Sequence, residues 1–542
     1  MKGLTKTALL ARTPTLALLT LALLTLVLSA CKQRPAPIIP TIIPNGSTLV
    51  PISTLDSGLG AGGVEVSAYA PLTQQLIVTN PQLNTIDIFD LSEPTQPTHL
   101  KCIDLNNFGN GVNSVETRDH LIAVSIKANP AQNPGTVVVF DSVLGGDGQL
   151  LKQFAVGADP DHLTFTPDGN KLLVANEGTP SGDYTVDPEG SVSIIDLTDG
   201  IEETALETAT VKTASFSQFE KDRQTLSLRI FGPRASVAQD IEPEYIAMAD
   251  DGKTAYVSLQ ENNGIGVLDL EKEQFTELLG LKAKDHGKPE NGLDASDHDN
   301  QINIQPYPGV FGLYQPDAIA TYTHNNNTFI VTANEGAIRD YDGFSEKARV
   351  KDLTLDPDTF PPEATRDEAL GRLEVTTTLG DTDNDGIYEA LYAYGARSFS
   401  IFDSRGTQVF DSGNSFERII AEQAPNTFNA KDGESDQRSD DQGPAPEGLS
   451  LGKVGDRTFA FITYERPGGI FVYDITEPTQ PTFELFTPSE SQDHNEDLDE
   501  PADTRPEGNL FISAKDSPNG QPLLVVTNEG NGTLTIYQLE GF

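Results

Sequence analysis

Short apolar runs that end on an acid or an amide recur along this chain, and each has the length and composition of a β-strand. A second apolar run precedes each of them, and turn residues such as Thr166-Pro-Asp-Gly169 lie upstream. The seven copies are Ile86–Leu91, Val137–Ser142, Val192–Leu197, Ile265–Leu270, Phe399–Ser404, Ile470–Ile475 and Leu534–Leu539. Repetition of one β unit predicts an all-β fold, and we interpret the copies as the blades of a seven-bladed β-propeller.

The spacing of these repeats is uneven. Successive terminal residues are 51, 55, 73, 134, 71 and 64 positions apart, which predicts repeats that carry insertions. Long loops on a rigid scaffold are where binding and catalysis concentrate. We expect residues 335–390 to be an insertion within blade five, and we expect residues 271–314, 426–445 and 488–505 to lie on the same face of the propeller.

The last repeat has no fourth strand of its own before Phe542. An uncovered strand edge invites pairing with other chains. The strand-like segment Ser47–Leu55 precedes the first repeat, so we expect this N-terminal strand to close the ring. Residues 47–542 are then one domain.

The N-terminus has the pattern of a bacterial lipoprotein signal. Lys2, Lys6 and Arg12 precede an apolar run, and Leu28-Ser29-Ala30-Cys31 matches a lipobox. We therefore interpret residues 1–30 as a signal peptide, Cys31 as the lipidated residue and the proline-rich residues 31–46 as a tether. The alternative, a transmembrane anchor, is disfavoured because the apolar run is short for a membrane span. The prediction is an exported, lipid-anchored protein that faces the periplasm or the cell surface.

The chain is strongly acidic, with a formal net charge of −45. Such a charge repels nucleic acids and anionic lipids, so we expect no nucleic-acid partner and no membrane contact except through the lipid. It fits a protein that holds divalent cations, and it also fits a saline habitat. Besides Cys31 there is only Cys102, which excludes a disulfide framework.

Acids also recur at two places in the predicted blades, at the start of the first strand and at the end of the second. Because both places lie at one mouth of a propeller channel, we expect these side chains to meet there. The first set is Asp161, Glu244, Asp317, Glu447 and Glu507, each after a proline, and the second is Glu177, Glu261, Glu335, Glu465 and Glu529. Crowded carboxylates repel one another unless they bind protons or cations, and all-oxygen ligands favour Ca²⁺. The alternative is that each acid caps backbone amides of its own repeat.

The insertion of blade five contains a second candidate calcium site. Asp381, Asp383, Asp385 and Glu389 flank Gly386 in the order of a calcium loop. Tyr392 stands where an EF-hand needs its last glutamate, so this is not an EF-hand. A solvated hairpin turn is the alternative.

Phosphate chemistry needs basic groups among the acids, and these are sparse. The candidates for phosphate binding are Arg339, Arg349 and Arg397, with a metal-bound water as the nucleophile. The sequence contains no nucleophile elbow, Walker loop, HExxH motif or paired-cysteine zinc site. No catalytic residue can be assigned, and the sequence leaves enzyme status open.

Several long motifs carry a family resemblance. They include TFTPDGNKLLVANEG, PEYIAMADDGKTAYVSLQENN, TANEGAIRDYDGFSEKARVKDL and GDTDNDGIYEALYAYGARSFSIFDS, in that order. The sequence resembles the choice-of-anchor I domain family, which includes mesenchyme-specific cell-surface glycoproteins. The resemblance implies a secreted or surface-anchored propeller. Bacterial relatives are often labelled alkaline phosphatase-like, although these motifs lack the metal-ligand and serine set of alkaline phosphatases.

Three functions follow from these patterns. The first is a surface-anchored, calcium-binding protein that uses the acidic channel mouth to hold a ligand, a mineral or another surface. The second is a calcium-dependent phosphoesterase, in which metal-activated water attacks a phosphate ester. The third is a scaffold whose acids serve solubility in salt, and it predicts acids spread evenly over the surface. We favour the first.

Overall fold

Antiparallel sheets of four strands follow one another along the chain. The computed structural model describes residues 46–142, 149–431, 433–489 and 504–542. The predicted signal peptide, Cys31 and the tether as far as residue 45 lie outside these residues. The acid-rich segment 490–503 lies outside them as well.

The described residues form seven four-stranded sheets, here numbered I to VII in chain order. A first strand, β1 (Thr48–Asp56), precedes them. Sheet I holds β2 (Ser67–Ala70), β3 (Gln75–Asn80), β4 (Thr85–Asp90) and β5 (Thr98–Asp104), and sheet II holds β6 (Val112–Arg118), β7 (Leu121–Ile126), β8 (Pro134–Asp141) and β9 (Gln149–Ala158). Sheet III holds β10 (Pro160–Phe165), β11 (Lys171–Asn176), β12 (Ser191–Asp196) and β13 (Val211–Ser215), and sheet IV holds β14 (Pro243–Met248), β15 (Thr254–Leu259), β16 (Gly264–Asp269) and β17 (Gln274–Gly280).

Two insertions then interrupt the repeat. The connection after sheet IV holds β18 (Ala283–Asp285) and β19 (Val310–Leu313). Sheet V starts with β20 (Ile319–His324) and β21 (Asn327–Asn334), and its chain then forms β22 (Asp340–Tyr341), β23 (Phe344–Ser345), β24 (Lys347–Arg349), β25 (Glu374–Thr376) and β26 (Leu391–Ala393). It returns to sheet V as β27 (Ser398–Asp403) and β28 (Gln408–Asp411).

The last two sheets are regular. Sheet VI holds β29 (Pro446–Val454), β30 (Arg457–Tyr464), β31 (Gly469–Asp474) and β32 (Thr482–Pro488). Sheet VII holds β33 (Pro506–Ile512), β34 (Leu523–Asn528) and β35 (Thr533–Glu540), and its fourth strand is β1, which pairs antiparallel with β35. The helices are short: α1 (Glu203–Leu206), α2 (Val237–Asp240) and α3 (Ser415–Gln423), with 3₁₀ turns at Ser217–Thr225, Pro289–Asn291, Val350–Asp352, Pro362–Thr365 and Pro425–Thr427.

The first strands of the sheets lie side by side. Each contacts the first strand of the next sheet, in the order β2, β6, β10, β14, β20, β29 and β33, and β33 contacts β2 again. Hydrophobic clusters fill the spaces between neighbouring sheets. Between sheets V and VI, for example, the rings of Phe416 and Phe471 stack with centroids 4.0 Å apart. Each buried aromatic or aliphatic side chain of this kind contributes about 1.5–3 kcal/mol to stability. The all-β fold class predicted from the sequence is confirmed.

The two insertions fold together into an additional sheet. Its strand order is β18-β19-β26-β25-β24, and β19 and β26 are parallel. This sheet has its own apolar core, which includes Val310, Phe360, Leu373 and Leu391. Within the described residues, no helix is long and apolar enough to cross a membrane.

Candidate cation site

A backbone irregularity at the start of the first strands directs acidic side chains to one place. In sheet III, Pro160 pairs with Asn176, and the register then shifts before Leu163. The same shift follows Pro243, Pro446 and Pro506. A β-bulge of this kind re-aims the side chain that it carries, and the residue after each proline is the predicted acid: Asp161, Glu244, Glu447 or Glu507.

In sheets IV and VII a buried hydroxyl on the second strand supports this bulge. The Oγ of Ser258 accepts the N–H of Tyr245 at 2.8 Å, and the Oγ1 of Thr527 accepts the N–H of Gly508 at 3.1 Å. A backbone N–H left free by the shift is therefore paired, as buried amides require. Thr79 in sheet I and Ser125 in sheet II do the same for Val66 and Ser114.

These bulges gather the predicted carboxylates of both sets. Electrostatic interactions link Glu507 with Glu465, Glu529 and Asp161, and they link Glu244 with Glu261, Asp317 and Glu177. All ten predicted ring acids interact in this way, and nine of them, all but Glu261, occupy equivalent positions in the strand register, where Glu65 is the tenth acid. We call the ten together the acid ring: Glu65, Asp161, Glu177, Glu244, Asp317, Glu335, Glu447, Glu465, Glu507 and Glu529.

Three members of the acid ring are close enough to share one ion. One carboxylate oxygen from each of Asp317, Glu335 and Glu447 lies within 4.8 Å of the other two. Glu447 is 8 % exposed, and its Oε2 accepts no hydrogen bond from any described residue. The Nε2 of Gln260 donates to the Oε2 of Glu335 at 2.8 Å and so fixes its orientation. Three carboxylate oxygens in this arrangement, beside the buried unpartnered Oε2 of Glu447, are a suitable partial coordination shell for Ca²⁺.

Burial and mutual repulsion both favour the protonated form of the ring acids. Burial raises the pKa of Glu447 well above its ordinary value, and Glu507 and Glu335 raise it further. Burial likewise raises the pKa of Asp317 and Glu335, again with contributions from neighbouring acids. Burial raises the pKa of Glu507 to about 7 and that of Asp161 to about 6. A bound divalent cation would relieve this cost by supplying opposite charge.

The strand register places Glu261 one residue beyond the position that carries an acid after the second strand in sheets III, V, VI and VII. Leu259 pairs with Pro243 as Asn176 pairs with Pro160, so Gln260 is the counterpart of Glu177. Glu261 lies one residue further along, where burial raises its pKa and Arg339 offsets only part of that rise. The sequence alone did not reveal this shift because a glutamine and a glutamate stand side by side there.

The predicted calcium loop is compact and solvent-exposed. Carboxylate oxygens of Asp381, Asp383 and Asp385 lie within 4.8 Å of one another. Asp381 already accepts the N–H groups of Asp385 and Gly386 at 3.1 and 2.9 Å. The structure does not bring Glu389 to this group, since its Oε2 accepts from the N–H and hydroxyl of Thr382.

The three arginines considered for phosphate binding all have protein partners. Arg339 is 1 % exposed and is paired with Asp240 at 2.8 Å and Glu242 at 3.1 Å. Arg349 is paired with Glu374 at 3.0 Å and Asp440 at 2.6 Å. Arg397 is paired with Glu417 at 2.6 Å and donates to three backbone carbonyls, those of Asp294, Ser439 and Asp441. These contacts occupy guanidinium donors that a phosphate group would need.

Sequence reasoning missed two acids and one base. Glu65 occupies the ring position of sheet I, but Val64 precedes it instead of proline. Glu116 lies deeper, on β6, where burial raises its pKa to about 7. Burial and neighbouring acids raise the pKa of Glu65 well above its ordinary value, and Lys127, which follows β7, offsets part of that rise. Lys127 also lies 3.8 Å from Asp159. A search for any acid two to three residues before a first strand would have found Glu65.

The ion-free protein should lose stability as pH rises from about 4.5 to about 7. Glu507 and Glu116 keep their protons in the folded state up to about pH 7, whereas the unfolded chain releases them near pH 4.3. The folded state therefore binds more protons over this interval, and the unfolding free energy falls by at least about 1 kcal/mol. Urea unfolding in chelator at pH 5.0 and 7.5 measures this fall in the unfolding free energy. Glu507→Gln, which has no titrating carboxyl group at that position, is the comparison variant. Equal stability at both pH values, or higher stability at pH 7.5, contradicts the expectation.

The fold and the acid ring define the class: an all-β protein built of repeated four-stranded sheets that direct carboxylates to a common centre. The chain belongs to the choice-of-anchor I domain family, whose model matches residues 65–478. The resemblance predicted from the motifs is thereby confirmed.

The chain is similar to two named proteins and to one solved structure. The chain is 34 % identical over 198 residues to Gigasin-3a of Magallana gigas, covering 33 % of this chain and 68 % of that protein. It is 26 % identical over 285 residues to a mesenchyme-specific cell surface glycoprotein of Strongylocentrotus purpuratus, covering 45 % of this chain and 36 % of that protein. The β-propeller domain of Cps50 (Swd1) from Myceliophteria thermophila superposes with a TM-score of 0.44 and 8 % identity, over 91 % of this chain and all of that one.

Proposed function

We propose that this chain is a surface-anchored, calcium-binding protein that uses an acidic channel mouth to hold a ligand, a mineral or another surface. In this proposal the seven sheets are the blades of one propeller, which β1 closes, and a lipid on Cys31 attaches it to a bacterial membrane. The cell-surface name of one relative agrees with such a location. The observation that carries the proposal is the cluster of Asp317, Glu335 and Glu447, with its buried unpartnered oxygen.

A closed propeller is supported by contacts along the whole ring. The first strands of sheets I to VII touch in sequence, and sheet VII touches sheet I. The pairing of β1 with β35 adds a strand from the start of the domain to its last sheet. Such closure leaves no uncovered inner edge, which is how propellers avoid edge-to-edge aggregation.

Charge favours cation binding over phosphoester hydrolysis. The acid ring has ten carboxylates and three basic neighbours. Lys127 interacts with Glu65, Arg466 pairs with Glu465, and Arg505 precedes Glu507 by two residues. When all are ionised, three divalent ions still leave one negative charge in excess. A phosphate group would add further negative charge, and the arginines that could offset it are paired elsewhere. The phosphoesterase alternative therefore gains no support from these contacts.

The loop of Asp381, Asp383 and Asp385 is proposed as a second, weaker calcium site. Its exposure predicts lower affinity, because solvent screens exposed charges and the loop pays entropy to order around an ion. Asp383→Asn should remove one bound Ca²⁺ per chain in calorimetric titration, while the affinity of the tightest site stays within about twofold. Asp358→Asn, in another exposed turn, is the matched control. An unchanged stoichiometry in Asp383→Asn would leave the loop as a solvated turn.

The proposal as a whole is tested by titrating Ca²⁺ into the chelator-stripped chain. Saturable binding with a rise in thermal midpoint is the expected result. The same samples are assayed for release of phosphate from p-nitrophenyl phosphate and phytate, and no turnover is expected. Calcium-dependent turnover would favour the phosphoesterase, and absence of any binding would overturn the proposal.

A further inference from the structure

A cavity of about 170 Å³ lies behind the acid ring, at the centre of the seven sheets. The first strands of all seven sheets contribute to its walls, from Glu65–Ala68 in sheet I to Glu507–Leu510 in sheet VII. The cavity is therefore bounded by the most regular part of the fold, and its shape does not depend on the insertions.

The walls of this cavity have acids at two levels and apolar groups between them. Four ring acids lie at the first level: Glu65, Asp161, Asp317 and Glu507. The side chains of Val66, Ala68, Ala318, Leu449 and Leu510 form the apolar part. Glu116 supplies a carboxylate at the second level.

The strand register gives the separation of the two levels. In sheet II, Val112 pairs with Ile126, Asn113 occupies the ring position, and Glu116 pairs with Ala123. Three residues of extended chain span about 10 Å, and the register shift between Val112 and Ser114 shortens this. In sheets I and IV the counterparts of Glu116 are Ala68 and Ala247, so its carboxylate stands among neutral neighbours.

Several polar atoms in the walls have no protein partner. The Oε2 of Glu65, the Oγ of Ser67 and the Oδ1 of Asn509 are buried and make no hydrogen bond with any described residue. Buried acceptors without partners are costly, so a donor from a ligand would stabilise them.

The histidine in the wall does not supply a positive charge. The Nδ1 of His162 accepts the N–H of Ile246 at 3.3 Å, and its ring stacks on Tyr245 at 3.7 Å. Burial lowers the pKa of His162 to about 3, so the ring is neutral. The cavity thus presents five carboxylates without a cationic side chain among its lining residues.

We propose that this cavity binds a linear aliphatic diamine, with one ammonium group among the ring acids, the methylene chain against the apolar walls and the second ammonium group at Glu116. The Oε1 of Glu116 accepts the backbone N–H of Thr117 at 2.8 Å, but Glu116 has no cationic partner among the lining residues. An inorganic cation makes no use of the apolar part, and a monoamine leaves Glu116 without a charged partner. The inference rests on the acid ring of the proposed function. It does not rest on calcium binding, because Glu116 lies three residues beyond the ring position of sheet II and is not part of the cluster of Asp317, Glu335 and Glu447.

The test is calorimetric titration of the full chain in chelator with putrescine, cadaverine and, as a monoamine, butylamine. We expect the diamines to bind at least about 10-fold more tightly than butylamine, because one further charge-assisted contact is worth about 1.5–3 kcal/mol. Glu116→Gln should abolish this preference while Ca²⁺ binding persists. Glu335→Gln, which lies outside the cavity wall, should weaken Ca²⁺ binding while the diamine preference persists.

Glu116→Asp is a second variant that shortens the side chain without removing its charge. It should shift the preference from putrescine towards the longer cadaverine. Equal affinity for diamines and butylamine, retention of the diamine preference in Glu116→Gln, or no diamine binding up to 10 mM would each overturn the inference. If the parent chain bound the diamines but no Ca²⁺, the result would count against the proposed function alone.

Discussion

The double substitution Glu335→Gln with Glu447→Gln is expected to weaken the tightest Ca²⁺ binding at least about 100-fold. Both side chains place an oxygen within 4.8 Å of Asp317, and each contact of a carboxylate with a charged partner is worth about 1.5–3 kcal/mol. Two such losses correspond to at least two powers of ten in affinity. Calorimetric titration of the chelator-stripped chain measures this change.

The same double variant should be more stable than the parent when no ion is present. Burial raises the pKa of Glu447 and Glu335, and neighbouring acids raise both further. Neutral amides of similar shape remove this repulsion. Thermal unfolding in chelator at pH 7.5 should therefore give a higher midpoint for the variant, whereas with excess Ca²⁺ the parent should be the more stable protein.

This reversal of order separates an ion site from a set of structural caps. If the acids only capped backbone amides, their replacement would lower stability in both conditions and leave Ca²⁺ without effect. Glu363→Gln with Glu422→Gln, two exposed positions, is the matched control for net charge. Identical midpoints of parent and variant in chelator, together with unchanged Ca²⁺ affinity, would contradict the prediction.

The repeat pattern and the ring acids could be read from the sequence because both are local. A proline followed by an acid marks the start of a first strand, and an acid after an amide marks the end of a second, as at Pro506-Glu507 and Asn528-Glu529. Glu65 was not predicted because valine precedes it instead of proline, although its place relative to the first strand of its sheet is the same. Glu261 was assigned by proximity in sequence, and only the pairing of Leu259 with Pro243 reveals its displacement from the ring position.

Long-range pairings could not be read from the sequence. The parallel contact of β19 with β26 joins segments about eighty residues apart in two different connections. Neither strand is longer than four residues, so no periodic pattern marks them. The same holds for the acids that surround Arg339, which precede it by about a hundred residues. The acids that neighbour Arg339 in the sequence give no indication of these distant partners.

Replacement of Arg339 by methionine is expected to lower the unfolding free energy by about 3–5 kcal/mol. The guanidinium is buried, it pairs with Asp240 and Glu242, and it also donates to the backbone carbonyl of Asp240. It lies over the ring of Phe231 at 4.5 Å, with Arg229 over the same ring at 4.2 Å. Its loss would leave two buried carboxylates without their counter-ion, which costs much more than the lost contacts alone.

A compensating variant makes this prediction specific to charge. If Arg339→Met is combined with Asp240→Asn and Glu242→Gln, no uncompensated buried charge remains, and most of the lost stability should return. Arg405→Met, at a side chain that is 82 % exposed and pairs with Asp403, should change stability by less than about 1 kcal/mol. Urea unfolding of the four proteins gives the comparison. If the triple variant were as unstable as Arg339→Met, the arginine would act through packing against Phe231 and not through its charge. Its pairing with two acids could then not be what joins the insertion of sheet V to the segment before β14.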